Sequence, residues 1–199
     1  MSVYFNVSGP SGAVISPCKE FRYRLWRVWD STLFLMSVVM ANPSTADADA
    51  NDPTVTTLIK MAKRLGYGGL IVHNLSAYRA TDPKDLAAAG YPVGKENYQY
   101  LEGARSIAEQ NVQRIFFAWG NAANDGPLRE VAEWMKSRCS LYEVQAFHFG
   151  LTKSGQPKHP LARGKRRIPN DQQPVPFSLG WVSRQTSNIK ASIERESCD

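Results

Sequence analysis

Three strongly apolar runs, residues 33–40 (LFLMSVVM), 70–75 (LIVHNL) and 114–119 (RIFFAW), each stop at a polar turn and are each followed by a stretch with helical spacing. A run too apolar to alternate fits a strand covered on both faces, and strands alternating with helices fit a mostly parallel sheet with helices packed on it. The first run ends at Asn42-Pro43, where proline has no N–H to give a ladder and closes the strand. Asp52-Pro53-Thr54 then has the form of a helix start, with Asp52 as cap and proline in the first turn. Val55, Leu58, Ile59, Ala62 and Leu65 recur at helical spacing, and Gly66 closes the helix. The second run leads into a polar loop over 78–85 and a helix over 96–109; the third ends at Gly120-Asn121 and precedes a helix over 128–137; residues 141–149 supply a fourth strand. Residues 21–29 (FRYRLWRVW) alternate apolar with basic positions, which predicts an edge strand with a charged outer face. The expected fold is a three-layer α/β/α sandwich, its mostly parallel central sheet having about four strands plus that edge strand.

A chain of 199 residues can bury the core of one domain, placed here over 1–162. From residue 163 the composition turns basic and proline-containing (GKRRIPNDQQPVPF), so 163–199 reads as a partly mobile extension. No apolar run reaches the ~20 residues that a membrane-spanning helix needs. The first residues, MSVYFNVSGPSG, lack the basic start and apolar core of a secretory signal, so a soluble cytoplasmic protein with no membrane partner is expected. Cys18, Cys139 and Cys198 are odd in number and far apart, the pattern of reduced thiols. With 24 Lys+Arg against 18 Asp+Glu the net charge is +6, which favours polyanionic partners, DNA or another nucleic acid among them.

In parallel sheets ligands bind outside the carboxyl ends of the strands, and each polar turn named above falls there. The Asn42-Pro43-Ser44 turn stands at the centre. Its amide can position a water or hold a ligand edge, or simply cap the turn. Asn74 repeats the placement one strand later, where an amide can pair with a base edge or brace a loop. His159, between Pro157 and Pro160, can steady negative charge on a leaving group or serve only in packing. Lys153, Lys158, Arg163, Lys165, Arg166 and Arg167 make a basic run suited to a phosphate backbone or to plain solvation. Asp47, Asp49 and Asp52 do not match a calcium loop, and His73, His148 and His159 sit on separate segments, so neither a metal nor any other cofactor is expected.

The strings NPSTADADANDPT, GYGGLIVHNLSAYRATDPKDL and LTKSGQPKHPL resemble, over roughly residues 21–162, a bacterial and phage family known as a conserved domain of unknown function. Their order more distantly resembles the uracil-DNA glycosylase superfamily. That resemblance implies a glycosylase-like fold in which Asn42, after Val38-Val39-Met40-Ala41, positions the attacking water. It further implies that Asn74 reads the base, that the strand ending in Gly120 lines the pocket, and that His159-Pro160 contacts the leaving base and the backbone. Tyr78 is the aromatic available to stack on a flipped base. Met40 stands where the superfamily has glycine, and Leu161 where it has serine, so the base is left open. The expected activity is release of a modified or deaminated base from nucleic acid. The alternatives are a nucleotide-binding or modified-base-binding module without turnover and a hydrolase of free nucleosides or nucleotides.

Overall fold

A computed structural model describes residues 9–104 and 112–178. The second half of the helix expected over 96–109 lies partly outside these residues, as does the end of the 163–199 extension.

Among the described residues one sheet has seven strands: β1 (Ser11–Ile15), β2 (Arg22–Val28), β3 (Leu35–Met40), β4 (Gly69–Asn74), β5 (Val112–Phe117), β6 (Ala146–His148) and β7 (Val175–Pro176). Their order is β1-β2-β4-β3-β5-β6-β7. The middle is parallel, β3 pairing with both β4 and β5, and β5 with β6. The flanks are antiparallel: β1 on β2, β2 on β4, and β7 on β6. Four helices accompany the sheet: α1 (Pro53–Arg64), α2 (Pro83–Ala88), α3 (Asn97–Ala104) and α4 (Gly126–Leu141).

The helices lie on both faces. Met36, Val38, Leu70, Val72 and Phe116 pack against Val55, Leu58 and Ala62 of α1. Val39, Ile115 and Phe117 pack against Leu101 of α3 and Leu128, Val131 and Met135 of α4. Both faces of the central strands are therefore apolar, the burial that makes their sequences read as continuous runs. The start of α1 follows its sequence closely: the Asp52 carboxylate accepts from the Val55 N–H at 2.8 Å, Pro53 needs no partner for a missing N–H, and Gly66 beyond the helix end takes φ 79°. Ser37, the one polar residue of β3, satisfies its hydroxyl by donating to the Ala104 carbonyl of α3 at 2.8 Å.

Three expectations are corrected. The edge strand over 21–29 is an interior strand, because β1 covers its outer side. Its basic residues do not form a solvated face: Arg22, Arg24 and Arg27 are 2%, 1% and 7% exposed. A guanidinium can be buried when its donors meet carbonyl oxygens, as those of Arg22 and Arg27 do, or when it lies over aromatic rings, as that of Arg24 does. The loop over 78–85 contains the start of α2, capped by Asp82 in the same way as α1, its carboxylate accepting from Lys84 N–H at 2.8 Å. The fourth strand is shorter than residues 141–149, because α4 continues to Leu141 and only Ala146–His148 pairs. The sheet also gains β7 beyond residue 162, and Ile168 packs into the α1-side core.

β2 carries one irregularity that matters later. From Val14 to Ile15 in β1, the partner in β2 jumps from Arg24 to Arg22, so Tyr23 is an extra residue. Arg24 shares a side with Trp26, its guanidinium 5.4 Å from that ring centroid and 5.8 Å from the ring of Tyr100. Arg22 joins Arg27 on the other side, where both reach the loop before α1.

Among the described residues no helix is long and apolar enough to cross a membrane.

Candidate functional site

The connection leaving β3 runs through α1 on one face, and the connection leaving β5 runs through α4 on the other. The strand order thus reverses between β3 and β5, and the carboxyl ends of the strands at such a point are where open α/β sheets take ligands. Three loops meet there: residues 41–52 after β3, 75–82 after β4, and 118–125 after β5, the last covered by 151–160.

The loops after β3 and β4 are latched together by Asn42. Its Nδ2 donates to the Ala80 carbonyl at 2.8 Å and to the Pro43 carbonyl at 3.0 Å, and the Ala80 N–H donates to the same Pro43 carbonyl at 3.0 Å. Both amide hydrogens are thereby committed, which fixes the amide plane. Among the described residues no hydrogen bond engages Oδ1, and it is not among the sealed atoms. Asn42 is therefore both a turn brace and a fixed acceptor. Replacing it with aspartate, which keeps the shape but offers only acceptors, turns both bonds into oxygen–oxygen repulsion; we expect a loss of about 1–3 kcal/mol, read as a fall in the urea midpoint at unchanged slope. An N42D protein with the wild-type midpoint would show that the latch carries no weight.

His159 is set on the end of β5. The Gly120 N–H donates to the Pro157 carbonyl at 2.8 Å, Trp119 Nε1 donates to Gln156 Oε1 at 2.8 Å, and Ser154 Oγ donates to Asn121 Oδ1 at 3.0 Å. Gly120 takes φ 64°, and a Cβ there would stand 3.4 Å from the Cβ of His159. The glycine thus supplies both a left-handed turn and room for the histidine. His159 Nδ1 accepts from the Leu161 N–H at 3.1 Å, which leaves the proton of the neutral ring on Nε2. Burial pushes the imidazole down, with Asp52 opposing, so the ring is neutral at neutral pH.

Charge around the loop before α1 comes from residues that the sequence did not single out. Arg27 donates from Nη2 to the Asp47 and Ala50 carbonyls at 2.6 and 3.1 Å and from Nε to Asn51 Oδ1 at 2.8 Å. Arg22 donates from Nη1 to the Ala46 carbonyl at 2.5 Å. Burial draws the Arg22 guanidinium down to about 10, Asp52 opposing and Arg79 and Arg27 adding to it, so it stays charged. The alternation in FRYRLWRVW gave no signal that these arginines turn inward, because period 2 fixes faces but not which face is wet. Gln156 gave no sequence signal either.

The expected site residues divide into groups. Ser44 and Tyr78 line one shallow depression of about 350 Å³ beside the Asn42 latch. Tyr78 is half-buried and stands edge-on to Phe21 at 5.8 Å. Gly120, His159 and the buried Pro160 form a second group on β5. Asn74 follows Val72 on the α1 side of β4, opposite Met40, and is 1% exposed, with neither Oδ1 nor Nδ2 bonded among the described residues. Asn42 follows β3, Asn74 ends the adjacent β4 and His159 lies beyond β6, packed on the end of β5, and among the described residues no hydrogen bond joins the three side chains. Lys153, Arg163, Lys165, Arg166 and Arg167 are exposed, and Lys158 lays its stem over Gly150. Among the described residues no group of three or more His, Cys, Asp or Glu side chains could hold a metal ion.

A search of curated proteins and of solved structures yields no significant match to this chain. A family profile does match, over residues 22–161, and that stretch contains β2 to β6, the Asn42 latch and the His159 segment. The chain therefore belongs to the family described as "Protein of unknown function (DUF1643)".

Proposed function

We propose that this protein is a glycosylase-like hydrolase that releases a modified or deaminated base from nucleic acid. The observation that carries the reading is the Asn42 amide at the carboxyl end of β3: its two hydrogens are held by backbone carbonyls, and among the described residues its Oδ1 is left without a hydrogen bond and is not sealed. A fixed acceptor of that kind orients a water for attack on a sugar carbon. The neutral His159 ring offers Nε2–H to a departing base that gathers negative charge, and a neutral donor suits this task at neutral pH. The net charge of +6 favours a polyanionic substrate. The target nucleotide reaches such a site unstacked, and Tyr78 provides a ring face for it.

The test is incubation of the purified chain with single- and double-stranded oligonucleotides carrying a panel of altered bases, with released base read by mass. Release by the wild type is expected, and N42A lowers it by about a hundredfold. Release by N42A at the wild-type rate removes the role of Asn42, and no release from any substrate removes the reading.

A binding module without turnover is the second reading. It is favoured by the depression of about 350 Å³ lined by Ser44, Tyr78 and Arg79, which needs no attacking group to hold a nucleotide. It predicts saturable nucleotide binding and no released base.

A further inference from the structure

The depression beside the Asn42 latch has walls that include Lys19, Ser44, Thr45, Tyr78, Arg79 and Thr81. Its donors are largely unspent. Among the described residues the Arg79 guanidinium makes one hydrogen bond, from Nη1 to the Lys19 carbonyl at 3.2 Å; its Nε is closed off from solvent, which leaves the Nη groups to meet a ligand. Among the described residues no carboxylate lies within ion-pair distance of Arg79, and no hydrogen bond holds the hydroxyls of Ser44, Thr45 or Thr81. Glu20 also lines the depression, but it pairs with neither Lys19 nor Arg79 through its carboxylate. Beneath the same loop lie the buried Arg22, whose Nε also has no partner among the described residues, and Arg27. A fork of guanidinium donors beside several free hydroxyls is the donor set that holds a tetrahedral oxyanion.

We infer that this depression is a phosphate-binding subsite, with Arg79 as its anchor and Ser44, Thr45 and Thr81 as supporting donors. Pro43 and Ala80 share the latch that borders it, so a bound phosphate stands next to Asn42. This assigns the phosphate grip to the loops after β3 and β4 rather than to the exposed basic residues within 153–167. Phosphate binding here requires no turnover, so it is separable from base release.

The experiment titrates the full chain with inorganic phosphate, a nucleoside 5′-monophosphate and a short single-stranded oligonucleotide, followed by amide chemical shifts and calorimetry. Saturable binding is expected, with shifts centred on residues 44, 45, 79 and 81. R79Q weakens it about tenfold or more, and the double variant S44A/T81V weakens it severalfold. K60Q, which removes an exposed cation on α1, leaves it unchanged. An oligonucleotide that binds more tightly than the monophosphate, with affinity falling steeply in salt, assigns the subsite to a nucleic-acid backbone. Equal affinity of the two small probes and the oligonucleotide assigns it to a single phosphate group. Saturation by none of the three probes, shifts confined to 153–167, or a folded R79Q that binds like the wild type would overturn the inference. If R79Q does not fold, R79K and S44A/T81V replace it, and wild-type affinity in both overturns the inference equally.

Discussion

Replacing Arg27 with alanine is expected to lower stability by about 3–5 kcal/mol, and the melting midpoint by about 10 °C. The guanidinium, 7% exposed, spends its donors on Trp26, Asp47, Ala50 and Asn51, three of which belong to the loop between β3 and α1. That loop has few bonds of its own: the Asp47 carboxylate accepts from the Asp49 and Ala50 N–H groups, and the Asp47 N–H donates to the Ala50 carbonyl. Truncation leaves the Asp47 and Ala50 carbonyls without their charged donor, so the loop must either keep unmet acceptors or swing out to water. R27K keeps the charge but not the fork, and is expected to recover less than half of the loss. Thermal and urea unfolding measure both variants, and an R27A protein that melts within about 2 °C of the wild type would show that the guanidinium does not hold the loop.

Acid unfolding is expected to begin near pH 6, well above the carboxylate range, because of His73. The ring is fully buried, neither nitrogen has a partner among the described residues, and burial pushes it from 6.5 down to about 3, with the Arg24 guanidinium adding to the shift. The folded value lies below the unfolded one, so the unfolded chain takes up the proton first. Stability is whole above about 6.5 and falls as pH drops toward the folded value. Between pH 6.5 and 4.5 this single ring costs about 2 kcal/mol. Leucine at position 73 loses no hydrogen bond, so H73L is expected to match the wild type within about 1 kcal/mol at pH 8 and to flatten the acid limb by that amount. His148 and His159 are pushed in the same direction by burial, so part of the limb survives in the variant. Urea midpoints at several pH values give the result, and an H73L limb as steep as the wild type's would refute it.

Much of the parallel core was legible in the sequence, and the reason is physical. β3, β4 and β5 are covered on both faces, so their burial is written as unbroken apolar runs, and Asp52-Pro53 with Gly66 marks both ends of α1. The flanks were not legible. β1, with the sequence SGAVI, has too few bulky residues to announce itself, and without it β2 reads as an edge. The same Asp-Pro signature that marks α1 also stands at Asp82-Pro83, where a short helix begins inside an apparent loop. At the site, the sequence pointed to Asn42, Gly120 and His159 through their places after strands, and the structure puts each at the carboxyl edge. It could not reveal which amide hydrogens are spent, nor that Arg22, Arg27 and Arg79 gather around one loop, because those facts depend on pairing between strands distant along the chain.

The unmatched Tyr23 in β2 makes residue count a part of the site's chemistry. Removing one residue between Arg22 and Leu25, or inserting one, would rotate Arg22 to the opposite surface of the sheet and deprive the Ala46 carbonyl of its cation, even if every remaining side chain were kept. Spelling changes in this segment should therefore be far better tolerated than changes in its length.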